Sequence, residues 1–248
     1  MRPPLAALAL ALAWIPTTLA QWIQYPPEGT ATLTHYTLPE DYIAACGCTA
    51  KSTHYPTAAM SQAAYGSSTA YGPGCGQCFK VTLLNTFLSD PPFFPDVTKS
   101  LVIKVTDLCP DSGGGWCSAS PGHPNQAGAY INFDLAWPSS AIPDDFFPSN
   151  VTLYGYTDFS VWNVSYESVS CVDSWAGGQD AAALGSINQT YGVCCPANPN
   201  STDLCPSYSE DTGAQPPDTI SNAAFRHLPS ILYTTTAFSL IICVFVLL

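Results

Sequence analysis

Ten of the chain's 11 cysteines fall between Cys46 and Cys205, and the eleventh, Cys243, lies in an apolar C-terminal run. In a chain with an export signal, an even and dense set of this kind is a disulfide framework. It predicts up to five bridges among Cys46, Cys48, Cys75, Cys78, Cys109, Cys117, Cys171, Cys194, Cys195 and Cys205, with a pairing that sequence leaves open. Such staples favour compact, loop-rich architectures. Cys75-Gly76-Gln77-Cys78 has the spacing of a redox pair and Cys46-Gly47-Cys48 suggests a metal knuckle, but no βαβ pattern surrounds either. His35, His54 and His123 share no ligand spacing. No metal or other cofactor is expected.

Both ends read as processing signals. Arg2 precedes an apolar run from Leu5 to Ile15 and the small-residue site Thr18-Leu19-Ala20, which predicts a signal peptide over 1–20. At the other end, Ser221, Asn222, Ala223 and Ala224 lead through a short spacer into the apolar run Ile231–Leu248. This is the layout of a glycosylphosphatidylinositol attachment signal, with Ser221 or Asn222 as the attachment site and 223–248 as propeptide. The run could also just span a bilayer as a helix, but no basic residue follows it. The mature domain is expected over 21–205 and a stalk, rich in polar residues and proline, over 206–222. Sequons at Asn150, Asn163, Asn188 and Asn200 fit the same exported, cell-surface or wall location. With 18 acidic residues against six basic ones, the formal charge is −12, which argues against a nucleic-acid partner. Membrane contact is expected through the lipid anchor alone, and the domain is expected to be a monomer.

The mature length fits one domain. Segments 32–36, 79–84, 101–106, 130–135, 151–156 and 162–170 are rich in Val, Ile, Thr and aromatics and are separated by Pro, Gly, Asp and Ser clusters. They predict six strands. One helix is expected over 57–65, where Pro56 precedes an Ala/Met/Gln run that Gly66 can close. The class is all-β, a small closed barrel with long loops.

Two carboxylates interrupt apolar strands, Asp107 in "KVTDLCP" and Asp134 in "INFDLAW". A buried Asp is costly unless partners hold it or it carries a proton. Paired carboxylates beside a cleft are the usual equipment of glycoside hydrolysis. The structural alternative is that Asp107 caps a turn and Asp134 accepts backbone hydrogen bonds. Tyr71, Phe93, Phe94, Trp116, Trp137 and Trp175 lie in predicted loops, where they can stack on sugar rings or cover the core. The chain has no G-x-S-x-G, P-loop or H-E-x-x-H motif.

The stretches "THYTLPEDYIAACGC", "AAMSQAAYG", "YGPGCGQCFKVTLLN", "VIKVTDLCP", "INFDLAW" and "YESVSC" occur in an order that resembles the expansin-like branch of glycoside hydrolase family 45. That resemblance implies a six-stranded double-psi β-barrel with long disulfide-stapled loops, and a groove for β-1,4-glucan cut by inversion. It implies that Asp134 is the general acid, Asp107 an assisting carboxylate or base, and Thr34 and Tyr36 part of the groove lining. Asn125 is the implied water positioner or base; Trp116, Trp137 and Trp175, among the loop aromatics, remain the substrate-binding candidates. The chain departs from the family pattern at Asn132, which stands for a His, and at Leu38, which stands for the Asp of the usual base. Asp111 and Ser112 are the remaining polar candidates nearby. Two further readings share the barrel: a non-hydrolytic, wall-loosening binder like the expansins, and a barwin-like defence protein.

Overall fold

The structure, a computed structural model, describes residues 22–39, 42–48, 50–68, 72–185 and 194. The two processing signals, the stalk, Tyr71, Cys195, Cys205, Asn188 and Asn200 lie outside the described residues. Six strands, β1 (Glu28–Tyr36), β2 (Thr57–Ser61), β3 (Cys78–Thr86), β4 (Ser100–Cys109), β5 (Asn132–Ala136) and β6 (Trp162–Val169), close into a double-psi barrel in the order β1-β5-β2-β4-β3-β6. The β1/β5 and β2/β4 pairs are parallel and the rest antiparallel. Five single turns of helix, α1 (Ala50–Thr53), α2 (Gln62–Tyr65), α3 (Val151–Tyr154), α4 (Cys171–Ser174) and α5 (Ala181–Leu184), sit in the connections.

Alternation along the strands builds the core. Leu33, Met60, Phe79, Val81, Ile103, Val105, Phe133, Leu135 and Val164 all point inside and are buried. Their apolar area, at about 25 cal/mol per Å², is the main force holding the barrel closed. Four disulfides fasten the loops among the described residues: Cys46–Cys75, Cys48–Cys194, Cys78–Cys171 and Cys109–Cys117. Cys75 and Cys78 therefore belong to different bridges, and the redox-pair reading of their spacing is excluded.

Two expected elements changed identity. The predicted helix over 57–65 is strand β2 followed by the single turn α2. Every residue of Thr57–Ser61 is buried and the strand pairs with β4 on one edge and β5 on the other. Alanine's helix preference, worth only tenths of a kcal/mol per residue, loses to two ladders and full burial. Gly66 still closes the helical part, with φ 86° and its N–H on the Gln62 carbonyl. The predicted strand over 151–156 is the turn α3, because no neighbouring edge is there to pair with it. The Asn150 side chain accepts the Leu153 N–H, and Gly155, at φ 78°, returns its own N–H to Val151.

A second apolar cluster, built around Cys78, Cys171, Trp175 and Ala183, docks the segment after β6 onto the outside of β4. Its centre is Lys104, fully buried, whose Nζ donates to the carbonyls of Ala183 at 2.9 Å and Leu184 at 2.5 Å. The ammonium lies 5.0 Å from the centre of the Trp175 ring. Burial pushes this lysine down to about 7. Above that pH the native state has released a proton that the unfolded chain keeps until roughly 10.4. The unfolded state binds more protons in that window, so this group makes stability rise with pH across it, by at most about 1.4 kcal/mol per unit. Below about 7 the cost of the buried charge is fully present. Urea unfolding at pH 5, 7 and 9 is therefore expected to show the parent gaining on Lys104→Met as pH rises. A difference independent of pH would refute the account.

Candidate active site

The site is assembled by side-chain parity. Ala31 and Leu33 of β1 point into the core, so Thr32, Thr34 and Tyr36 face out. Phe133 and Leu135 of β5 point in, so Asn132 and Asp134 face out. On β2, Ala58 and Met60 point in and Ala59 faces out. Strict alternation on β4, where Ile103 and Val105 are core, would turn Asp107 inward. A bulge prevents this. Ala58 pairs with Val105 but Ala59 pairs with Asp107, so Thr106 is the extra residue and the parity of β4 is reversed beyond it.

Thr34, Asp134, Ala59 and Asp107 consequently form one row across β1, β5, β2 and β4. Two strand spacings separate the two aspartates, which sets their backbones roughly 10 Å apart. The residue between them in the row is Ala59, whose side chain is a methyl group. A pocket of about 300 Å³ opens over this row, and its far wall of Leu38, Pro39, Tyr42, Leu108 and Pro110 is mainly apolar.

The two carboxylates are held differently. Asp107 Oδ1 accepts the N–H groups of Ala45 at 2.7 Å and Leu108 at 2.9 Å, and Oδ2 accepts the Tyr36 hydroxyl at 3.1 Å. Asp134 accepts one hydrogen bond, from Thr34 Oγ1 to Oδ1 at 2.6 Å, and its Oδ2 lies 3.9 Å from the bridged sulfur of Cys109. Burial raises both above the usual carboxylate range; three donors pull Asp107 back toward the ionised form, while one donor and His35 do so for Asp134. The proximity of Asp107 adds to the rise at Asp134. A single proton shared between them is better placed on Asp134. Tyr36, pushed far above its ordinary value by burial and by Asp107, stays a donor.

Behind Asp134 runs a chain of side-chain hydrogen bonds. Asn125 Nδ2 donates to Thr32 Oγ1 at 2.8 Å, Thr32 Oγ1 to Asn132 Oδ1 at 2.7 Å, and Asn132 Nδ2 to Thr34 Oγ1 at 2.9 Å. Thr34 then donates to Asp134. Asn132, where the family pattern has His, is thus a fully buried link that orients Thr34. Asn125 is buried at the far end of the chain. Its Oδ1 accepts the N–H groups of Ala127 and Ala129, and its Nδ2 also reaches the Trp116 carbonyl. It touches Asp134 only through the three intervening side chains.

The tryptophans are not gathered at the carboxylates. Trp175 is buried, with its Nε1 on the Pro56 carbonyl at 2.7 Å, so as a sugar platform it must be corrected to a core residue. Trp137 packs edge-on against His35 and Phe147 at the barrel mouth, and Trp116 packs edge-on against Phe87. Neither lines the pocket between Asp107 and Asp134. Leu38 does, as part of the apolar wall, so no base stands there. Asp111 and Ser112 are exposed on the loop closed by Cys109–Cys117, with the Asp111 N–H on Gln62 Oε1 and its Oδ1 on the Gly113 N–H. Sequence reasoning missed Ala59, hidden inside a predicted helix, and Tyr42, whose place depends on how its loop folds back over β4.

A family model described as EXPB1-like domain 1 matches residues 31–177, more than half of the chain and all of the row just described. The chain belongs to this family. Among curated proteins this EXPB1-like chain is 28% identical over 187 residues to Endoglucanase-5 of Hypocrea jecorina, a match covering 70% of this chain and 65% of that protein's length. Among solved structures it is similar to the GH45 endoglucanase EG27II in complex with cellobiose, at 25% identity over 62% of this chain and 91% of that one, with a TM-score of 0.42. It is also similar to the β-1,4-D-endoglucanase Cel45A of the blue mussel Mytilus edulis, at 24% identity over 63% and 86% of the chains, with a TM-score of 0.43.

The Thr34 contact gives a direct check on the electrostatics. Thr34→Val removes the one donor that favours ionised Asp134, so the Asp134 titration is expected to move up, together with a loss of about 1–3 kcal/mol from the stranded Asn132 amide. Carboxyl-carbon NMR of parent and variant reads the shift. An unchanged or lower Asp134 value would mean that the threonine does not hold the carboxylate.

Proposed function

We propose that this EXPB1-like chain is a glycoside hydrolase of the endo-β-1,4-glucanase type, slow in turnover, that cuts β-1,4-glucan with inversion. The observation that carries the reading is the row Asp134–Ala59–Asp107, two carboxylates separated along it by a methyl group and opening on one pocket. Inverting hydrolysis calls for an acid and a base roughly 6.5–9.5 Å apart, so that a water fits behind the sugar. The backbone spacing of the pair is compatible with that window. The curated relative named as an endoglucanase supports the substrate class.

In this mechanism Asp134, kept protonated by burial, gives its proton to the glycosidic oxygen as the C1–O bond breaks. Asp107 takes a proton from the water that attacks C1 from the opposite face. The products are two shorter glucans, with the new reducing end in the α configuration. Tyr36 and two backbone N–H groups hold Asp107 in place, and the donors that fix it also occupy the lone pairs with which it would bind water. That sharing is the physical reason to expect slow turnover. The missing carboxylate at Leu38 points the same way.

Expected outcomes follow from these roles. Asp134→Asn should abolish release of reducing ends from barley β-glucan, and Asp107→Asn should lower it by about 10²–10⁴-fold. Activity should climb as Asp107 ionises and fall as Asp134 loses its proton, a bell whose two limbs both lie above the ordinary carboxylate range because burial raises both groups. Proton NMR of fresh products should show the α anomer; the β anomer would exclude single displacement. The pocket lining holds two acids and no Lys or Arg, so carboxymethylcellulose should be cut less well than neutral glucan at low salt, with the gap narrowing as salt screens the repulsion. A gap independent of salt would speak against charge exclusion.

A second reading is favoured by Leu38 and by the EXPB1-like match: a non-hydrolytic binder that loosens glucan contacts, with Asp134 hydrogen-bonding a sugar. Binding of insoluble glucan by both parent and Asp134→Asn, with no new reducing ends over days, would establish that reading and sink the hydrolase. The exported, lipid-anchored location is part of the same proposal. It rests on the end signals and the disulfide framework, and fails if phosphatidylinositol-specific phospholipase C releases no protein from intact cells.

A further inference from the structure

Two Asn-x-Ser/Thr sequons lie among the described residues, Asn150-Val151-Thr152 and Asn163-Val164-Ser165. The fold treats them differently. Asn163 sits in the middle of β6, with β1 on one side and β3 on the other, opposite Thr32 and Asn85. It is half-buried, and its Nδ2 faces Asn85 Oδ1 at 3.5 Å. Its side chain faces out of the barrel, since Trp162 and Val164 point in, but its amide nitrogen is engaged by Asn85 and a sugar there would have to lie across the side chains of both neighbouring strands. Asn150 is exposed and caps α3, with its Oδ1 accepting the Leu153 N–H at 3.0 Å. The cap uses the carbonyl end of the amide and leaves Nδ2 at the solvent end, so attachment there keeps the cap intact.

The surroundings of Asn150 supply the second observation. Val151 and Leu153 are 51% and 62% exposed. α3 is fastened to the loop 87–97 by the Tyr154 hydroxyl on the Pro91 carbonyl at 3.0 Å and by the Phe93–Tyr154 ring contact. That loop exposes Leu88, Phe94 and Val97, at 57%, 64% and 67%. Apolar side chains gathered on one surface normally have a cover. Here an acceptor for a sugar stands beside Val151 on the turn that Tyr154 ties to that loop, and pyranose rings present C–H faces that pack on such side chains.

We infer that Asn150 carries an N-linked glycan whose first N-acetylglucosamine residues lie over Val151, Leu153 and the neighbouring loop, and that Asn163 is unmodified. In the transfer, Asn150 Nδ2 bonds to C1 of a lipid-pyrophosphate oligosaccharide. The C1–O bond to phosphate breaks, the amide gives up one proton, and the lipid pyrophosphate leaves. The inference is independent of the catalytic reading, since neither sequon lies among the pocket residues.

The test is expression of the full chain in a secreting eukaryotic host, followed by peptide N-glycosidase digestion in ¹⁸O water and peptide mapping. The label is expected at position 150 and absent from 163. Thr152→Ala, which destroys the sequon and spares the cap, should remove the label, and Ser165→Ala should change nothing. The enzyme leaves an aspartate at 150, which still caps the turn, so a rise in binding of the dye ANS after digestion reports the uncovered patch alone. Label at 163, or none at 150 in a host that glycosylates a control acceptor, would overturn the site assignment. Unchanged dye binding, or dimerisation through this face with the glycan in place, would overturn the covering.

Discussion

Strand β2 is five residues long, wholly buried, and hydrogen-bonded on both edges, to β4 in parallel and to β5 in the antiparallel sense. Its two ladders close the barrel and also put Ala59 between Asp107 and Asp134. A helix at this position, which the local Ala/Met composition favours, would leave one edge of β4 and one edge of β5 unpaired and the buried N–H and C=O groups there stranded, at about 1–3 kcal/mol each. The backbone hydrogen bonds of neighbouring strands therefore decide the conformation of β2, and that conformation decides the site.

Charge is handled in opposite ways on the two sides of the β4 bulge. Beyond the bulge, Asp107 is surrounded by donors that hold its negative charge, while Asp134 two strands away receives one. This inequality, rather than any difference in residue type, distinguishes the surroundings of the two carboxyl groups. Before the bulge, Lys104 is buried with two carbonyls and an aromatic face as partners and no carboxylate among its hydrogen bonds. It ties the segment after β6 to the barrel at the cost of a depressed pKa. The Asn125–Thr32–Asn132–Thr34 chain performs the corresponding task for Asp134: it is buried and continuous, so it fixes the geometry of Thr34, the side chain that donates to Asp134.

Five of the six strands were legible because their Val, Ile, Thr and aromatic content matches what a half-buried pleated surface selects. The sixth predicted strand and the predicted helix exchanged identities. The segment 151–156 has β-favouring residues but no edge to join, and 57–65 has helix-favouring residues between two edges. The motif resemblance named Asp107, Asp134, Thr34 and Tyr36, and the structure sets these four side by side. The resemblance could not see that Trp175 is consumed by packing on Lys104, or that Asn125 spends its amide on a loop and on Thr32, because burial and hydrogen-bond saturation depend on residues distant in sequence.

By itself, the sequence determined the all-β class, the disulfide-rich character, the acidic surface and the two strand-borne aspartates, since these follow from composition and from periodicity over a few residues. Tertiary structure alone decided the disulfide pairing, the strand identity of 57–61 and the outward aim of Asp107. The last point is the clearest. Periodicity counts Asp107 with the core residues Ile103 and Val105, and only the mismatch between β2 and β4 at Thr106 turns it to the pocket. A bulge is a property of two paired strands, so neither strand's sequence contains it.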